Sequence, residues 1–375
     1  MLKSAILLVS LLSLGCQMNK NKMAINWQSN TVLPDSNKQQ HIGVAGPITG
    51  IINNKLIIAG GANFPAAMPW DGGAKTYQKD VYIYDIEDNG HIVYQLRQDF
   101  QDSLAYAANV SVANKIYSVG GERNGNATAD VFIYYLEGDK FIRQDLVLPN
   151  LPIPLTNGSL THLNNVLYFI GGENADTVSN KIYALDLYDA SSKWTEFLTL
   201  PNPITHTIVV NDAMDKLYIV GGRKRNVNAK SDIYKEVYQL DVNTKNITSL
   251  PNLPEQLAAG TGIFYKDNIL VFGGDNASTF HQVEELIAEI NMTTDEVKKK
   301  ELTLQKNNIQ SAHPGFSKKV WRFDLDTKAW LPTDEIVGDS PVTTTALIWN
   351  DLIVIPSGEI RAGVRTNQIL SGKIK

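Results

Sequence analysis

Apolar and polar positions along this chain follow one recurring rhythm. Short apolar runs end on paired glycines in LIIAGG, IYSVGG, LYFIGG, LYIVGG and ILVFGG, with the pairs beginning at residues 60, 120, 171, 221 and 273. A sixth run, LIVIPSGE, puts Ser357 where the first glycine belongs and follows Gly358 with Glu359. Successive separations are 60, 51, 50, 52 and 84 residues, so one long insertion interrupts an otherwise steady period. Within the third unit, GSLTHL, VLYFI, KIYALDL and KWTEFLTL are apolar throughout or alternate with polar residues, and Asn, Gly and Pro bound them. Segments of that kind are buried or half-buried strands. Each unit therefore reads as four strands, a to d, with the glycines turning the chain where a side chain would not fit. Losing the glycine pair in the sixth unit is expected to sacrifice packing there in favour of chemistry.

A repeat of about 50 residues is the length of a kelch blade. The predicted fold is all-β: a six-bladed kelch β-propeller, in which radial repetition manages exposed strand edges. The opening segment INWQSNTVLP has the d pattern, while the last unit stops after its c strand, TNQILSGKI. Residues 27–33 are therefore expected to supply the missing d strand and close the ring. In an antiparallel a-b-c-d meander the b–c and d–a connections leave the sheet at the same end. That end collects GGERNGNA, GGENAD, GGRKRN and GGDNAS, together with a long loop around Trp70 and the insertion 275–318. The insertion holds FHQVEELIAEI, whose Val283, Leu286, Ile287 and Ile290 predict a short amphipathic helix capping that face. The later stretch DEVKKKELTLQKN reads as a solvated helix face, and Trp27, Trp194 and Trp330 read as blade packing.

Composition narrows the partners. At 375 residues and 43% hydrophobic content the chain can bury a large core. A formal charge of -5 with scattered Lys and Arg argues against nucleic acid as a partner. The N-terminal MLKSAILLVSLLSLGC carries an apolar run too short for a membrane span and suited to an export signal. The chain's single cysteine, Cys16, follows that run directly and resembles the lipid-modified cysteine of bacterial lipoproteins. Residues 1–24 are expected to be signal and tether, residues 25–375 the propeller, and the protein exported, periplasmic or membrane-anchored. No His/Cys cluster or phosphate loop calls for a metal or another cofactor.

The kelch repeats, GEIRAGVRT at 358–366, the insertion after the fifth glycine pair, and AGPITG with GGANFP together resemble the N-acetylneuraminate epimerase family, the sialic acid mutarotases. The motif stands C-terminal here, as in a cyclically permuted branch, and permutation within a ring leaves blade neighbours unchanged. The resemblance implies a small sugar acid as substrate and acid–base opening of its ring. It places the base on Glu359 and its partner on Arg365, by match to GExxxGxR. A planar, always-charged guanidinium suits the substrate carboxylate, and the acid is left to a bound water or a tyrosine. Asn63, Arg123, Glu173, Asn174, Arg223 and His206 are weaker candidates for substrate contacts; Arg123 and Arg223 read first as solvated loop charges and His206 as a structural histidine. The rival readings are a structural Glu359–Arg365 ion pair and a non-catalytic kelch propeller that binds a glycan or protein through its loop face.

Overall fold

In the computed structural model, which describes residues 23–35, 39–145 and 148–375, the b strands show why their apolar runs are continuous. The third unit's b strand, Val166–Ile170, lies between Ser159–Leu163 and Lys181–Asp186, with Thr195–Thr199 outermost. Leu167 and Phe169 enter an apolar cluster shared with the second blade, whereas Tyr168 and Ile170 enter one shared with the fourth. Both faces of the strand are covered, so the two-residue period of side-chain direction leaves no polar position. Six four-stranded sheets alternate in this way with six apolar clusters. The core is thus distributed between blades, and each buried Leu or Phe contributes roughly 1.5–3 kcal/mol.

The sixth sheet runs Leu347–Trp349, Leu352–Pro356, Gln368–Ile374 and then Ile25–Val32, the strand from the other end of the chain. Ile25 faces Ile374 and Val32 faces Gln368 in antiparallel register. Trp27 meets Phe272 of the fifth blade edge-on at 5.9 Å, and Leu33 donates its N–H to the Asn367 carbonyl at 2.7 Å. The ring is closed as the sequence predicts. The segment expected to be an export signal, with Cys16, lies outside the described residues.

A second circle surrounds the axis. Gly46, Tyr106, Asn157, His206, Ala259 and Thr343, one per d–a connection, all take left-handed backbone, with φ between 52° and 60°. Each donates its N–H to the carbonyl of the one before, and Gly46 closes the circle on Thr343, at N···O distances of 2.7–3.2 Å.

The first glycine of each pair meets this inner region tightly. At Gly171, φ is +66° and an added Cβ would lie 2.1 Å from the Ile204 carbonyl oxygen. Ser357 stands at the corresponding place with φ 54° and is fully buried. Its Oγ accepts the Val44 N–H at 2.9 Å and donates to the Thr366 carbonyl at 2.6 Å. The expected sacrifice of packing at this repeat is therefore corrected: the turn is kept, and hydrogen bonds replace the missing glycine.

Two helices fill the fifth blade's b–c insertion: α1, Ser278–Met292, and α2, Glu296–Ser311. The predicted apolar stripe forms α1 and buries Val283. Asp295 caps α2 by accepting the N–H groups of Val297 and Lys298. α2 is more than a solvated face: Leu302 is buried, and Asn307 Nδ2 donates to the Trp70 carbonyl at 2.7 Å. The two long loops thus meet over the funnel.

Candidate functional site

The residue after each glycine pair is held in one equivalent place. Ala62, Glu122, Glu173, Arg223, Asp275 and Glu359 each bridge a residue just ahead of their own blade's a strand, Glu173 to Thr156 and Glu359 to Val342. One side chain per blade is so offered around the axis, at the end where the long loops emerge.

The spacing of GExxxGxR follows from a small ribbon, Glu359–Arg361 paired with Val364–Arg365. Glu359 and Arg365 are cross-strand partners in it, which brings Arg365 Nη1 to 3.1 Å from Glu359 Oε2. The turn needs glycine at Gly363, where φ is +76° and an added Cβ would lie 2.6 Å from Pro69 Cγ. The Gly363 N–H also donates to Glu359 Oε1 at 2.9 Å. Both carboxylate oxygens are therefore oriented by the motif itself.

Glu359 lines a cavity of about 350 Å³ beneath α1. His206, Arg223, Asp275 and His313 share its wall, and Phe280, Val283, Ile287 and Phe316 make it largely apolar on the helical side. His313 Nδ1 accepts the Gly315 N–H at 3.0 Å, and its ring packs on Phe316 with centroids 4.9 Å apart. Burial holds the His313 imidazole below its usual range, and raises the Asp275 carboxyl against the Ala277 N–H that it accepts.

Glu173 is clamped. Arg223 Nη2 lies 3.0 Å from its Oε1, Arg225 Nε 3.7 Å from Oε2, and His206 Nε2 3.6 Å from Oε1. Burial alone would raise this carboxyl, but His206 and Arg223 outweigh it and bring it down to about 2. Burial also holds His206 below its usual range despite Glu173. With the imidazole favoured neutral and 3.6 Å too long for a good hydrogen bond, Arg223 is the firmer partner.

The remaining sequence candidates are dispersed. Arg365 lies mostly covered, with Phe64 under its guanidinium at 5.0 Å, and lines a neighbouring hollow of about 270 Å³ with Asn63. Asn63 is itself tied, donating to the Gly43 carbonyl and accepting from Gln78. Asn174 builds a turn, its Oδ1 accepting the N–H groups of Asp176 and Thr177. Arg123 is paired with Asp102 at 3.3 Å and Asp130 at 3.5 Å over the Phe132 ring, away from the Glu359 cavity. Arg223 is no solvated loop charge; it lines the cavity with Phe280 of α1 stacked 5.1 Å from its guanidinium.

Sequence reading passed over Asp275, His313 and Tyr106 as site residues. The first and last had a signal, because Asp275 holds Glu359's place in its own repeat and Tyr106 holds that of His206. Tyr106 lies with its hydroxyl 3.4 Å from Arg365 Nη2, and burial pushes its phenol up to about 12. His313, in SAHPGF just after α2, follows no repeat and carried no pattern.

Comparison with known proteins agrees with this architecture. The chain is similar to a solved protein described as "Structure of YjhT", with a TM-score of 0.62 and 15% identity, covering 92% of this chain and 100% of that one. An N-acetylneuraminate epimerase of Haemophilus influenzae (strain PittEE) is 24% identical over 226 residues, and one of Salmonella typhi is 25% identical over 225. These matches take in 60% and 59% of this chain, and 59% and 57% of the length of those relatives. The family model described as N-acetylneuraminate epimerase matches residues 15–142 and 148–375, nearly the whole length, and the chain belongs to that family.

Proposed function

We propose that this protein interconverts the α and β anomers of N-acetylneuraminate by acid–base opening of the sugar ring, with Glu359 as the base. The observation that carries this reading is the placement of Glu359, oriented by Gly363 and Arg365 yet lining a cavity large enough for a small molecule. Family membership and relatives named N-acetylneuraminate epimerase support the substrate.

In the proposed reaction the Glu359 carboxylate takes the proton of the anomeric hydroxyl. The bond from the anomeric carbon to the ring oxygen breaks, a bound water or a tyrosine hydroxyl gives a proton to the ring oxygen, and a ketone forms. Reclosure on the ketone's other face returns both protons to their donors and yields the other anomer, with no net change in atoms or electrons. A positioned base contributes ~10²–10⁴-fold to such a step. The apolar wall under α1 excludes part of the water that would otherwise solvate the carboxylate.

The deciding experiment is proton NMR of freshly released α-N-acetylneuraminate. Equilibration should be faster with the protein than without it, and Glu359→Gln should remove most of the gain. Equal rates with and without protein would defeat the reading.

We infer further that the chain is exported and carries lipid on Cys16, on the strength of the apolar run that precedes it. Mass spectrometry of protein from its native host should find a mature chain beginning at a modified Cys16; an unmodified thiol or another start removes the inference.

A further inference from the structure

Two arginines stand close to the proposed base, and they differ in what remains free on each guanidinium. Arg365 points wholly into the protein: Nε donates to the Ala62 carbonyl and Nη2 to the Tyr106 hydroxyl, both at 3.4 Å, while Nη1 lies 3.1 Å from Glu359 Oε2 as an ion pair without a hydrogen bond. That Nη1 is sealed from solvent, and the side chain is only 5% exposed. Arg223 is 18% exposed and commits Nη2 to Glu173; its Nε is buried without a hydrogen bond, while among the described residues Nη1 makes no hydrogen bond and is not sealed.

Position separates them as well. Arg223 lines the same cavity as Glu359, whereas Arg365 lines the adjacent hollow. Charge points the same way. One carboxylate, Glu173, is shared by two guanidiniums, Arg223 and Arg225, so the cluster keeps an excess of positive charge. The acids on the cavity wall are Glu359 and Asp275, and burial raises the Asp275 carboxyl, which weakens its competition for Arg223. Phe280 stacks on the Arg223 guanidinium and holds its plane. A fixed guanidinium with Nη1 free at a cavity wall suits a carboxylate, which it can meet with a charge-assisted hydrogen bond.

Resting on the mutarotase reading above, we propose that Arg223 binds the carboxylate borne on the anomeric carbon, and that Arg365 is a positioning residue that fixes Glu359. The substrate class is thereby narrowed to 2-keto sugar acids with a free carboxylate. Neutral ketoses lack the group that Arg223 would hold.

The test uses the methyl α-glycoside of N-acetylneuraminate, which cannot open, and the methyl ester of that glycoside, which is uncharged. Calorimetry on the parent should show the acid bound at least ~10-fold more tightly than the ester, as expected of charge-assisted hydrogen bonds. Arg223→Gln should abolish that preference by weakening the acid ~10- to 100-fold. Arg365→Gln should keep the preference within about threefold while anomer exchange falls ~10²-fold, a split between binding and turnover. Because Arg223→Gln leaves Glu173 less compensated, the double variant Glu173→Gln/Arg223→Gln removes both members of the pair and should lose the preference equally.

A parent that binds acid and ester alike overturns the assignment. So does a preference lost in Arg365→Gln but kept in either Arg223 variant. Failure of the mutarotase reading would look different: a parent that holds the acid through Arg223 yet leaves anomer exchange at the rate of water.

Discussion

In the third repeat Gly171-Gly172 delivers Glu173, and in the sixth Ser357-Gly358 delivers Glu359. Both glutamates follow a b strand, and both bridge a residue ahead of their own a strand. Their fates are decided by the next blade round the ring. The residue in the equivalent place beyond Glu173 is Arg223, which clamps it and, with His206, overcomes burial to hold the carboxyl down at about 2. Beyond Glu359 comes Ala62, which brings no side-chain charge, and the counter-ion comes instead from Glu359's own ribbon as Arg365. A carboxyl held at about 2 is a poor proton acceptor near neutrality, since its driving force has been given up to its partners. On the reading proposed above, Glu173 is a structural strut held by its neighbour, and Glu359 is the base.

The blades themselves differ, and breaking that difference should give the largest effect. The third blade is continuous in sequence, whereas the sixth borrows Ile25–Val32 from the other end of the chain. Deleting residues 25–34 uncovers a strand edge and removes Ile25, Trp27 and Leu33 from packing. The loss should be at least about 5 kcal/mol from apolar burial alone, read as a collapse of the urea midpoint. An unchanged midpoint would refute ring closure by this strand.

Glu173→Gln should come next, lowering stability at neutral pH by on the order of 3 kcal/mol. The sign follows from a folded value of about 2 against an ordinary 4.5. The contribution is complete above the ordinary value and drains away as pH falls from there toward 2. The parent should therefore lose stability over that acid window, and the variant should lose less of it.

Glu359→Gln should show the opposite profile: anomer exchange down by ~10²-fold, about 2.7 kcal/mol in barrier, with a melting temperature close to the parent's. If that variant exchanges at parental speed and melts early instead, Glu359 belongs with Glu173 as a strut.

The smallest effect is expected from Ser357→Gly, which restores the glycine pair. It relieves a left-handed non-glycine residue, roughly 1–2 kcal/mol, but deletes the Oγ bonds to Val44 and Thr366, each worth about 1 kcal/mol. Thermal melting should move little, and a large loss would show that the serine's hydrogen bonds outweigh its backbone strain.

Much of this molecule is legible in one dimension. Five glycine pairs and one Ser-Gly mark six turns, the apolar runs ending on them are strands covered on both faces, and an orphan d strand at one end matches a vacancy at the other. GExxxGxR also carries its own geometry, because a hairpin turning at Gly363 makes Glu359 and Arg365 cross-strand partners. The stripe in α1 announced a cap over the funnel. What escaped was the company of each charged residue. Arg123 and Arg223 both read as loop charges just past a glycine pair, yet one is paired with Asp102 and Asp130 while the other faces the cavity. Asn307 and Trp70 join the two lids across 237 residues of sequence.

The physical reason lies in the range and direction of the forces. Apolar burial is non-directional and proportional to area, so a pattern of residue types determines strands, faces and blade contacts without reference to any particular partner. A charge is governed by ångström-scale distances and by local desolvation. At this site those distances run between loops about fifty residues apart, as from Glu173 to Arg223. The sequence by itself determined the ring, its closure and the Glu359–Arg365 pairing; only the packing of one blade's loop against the next decided that Glu173 is clamped, that Glu359 is left facing a cavity, and that Arg223 shares it.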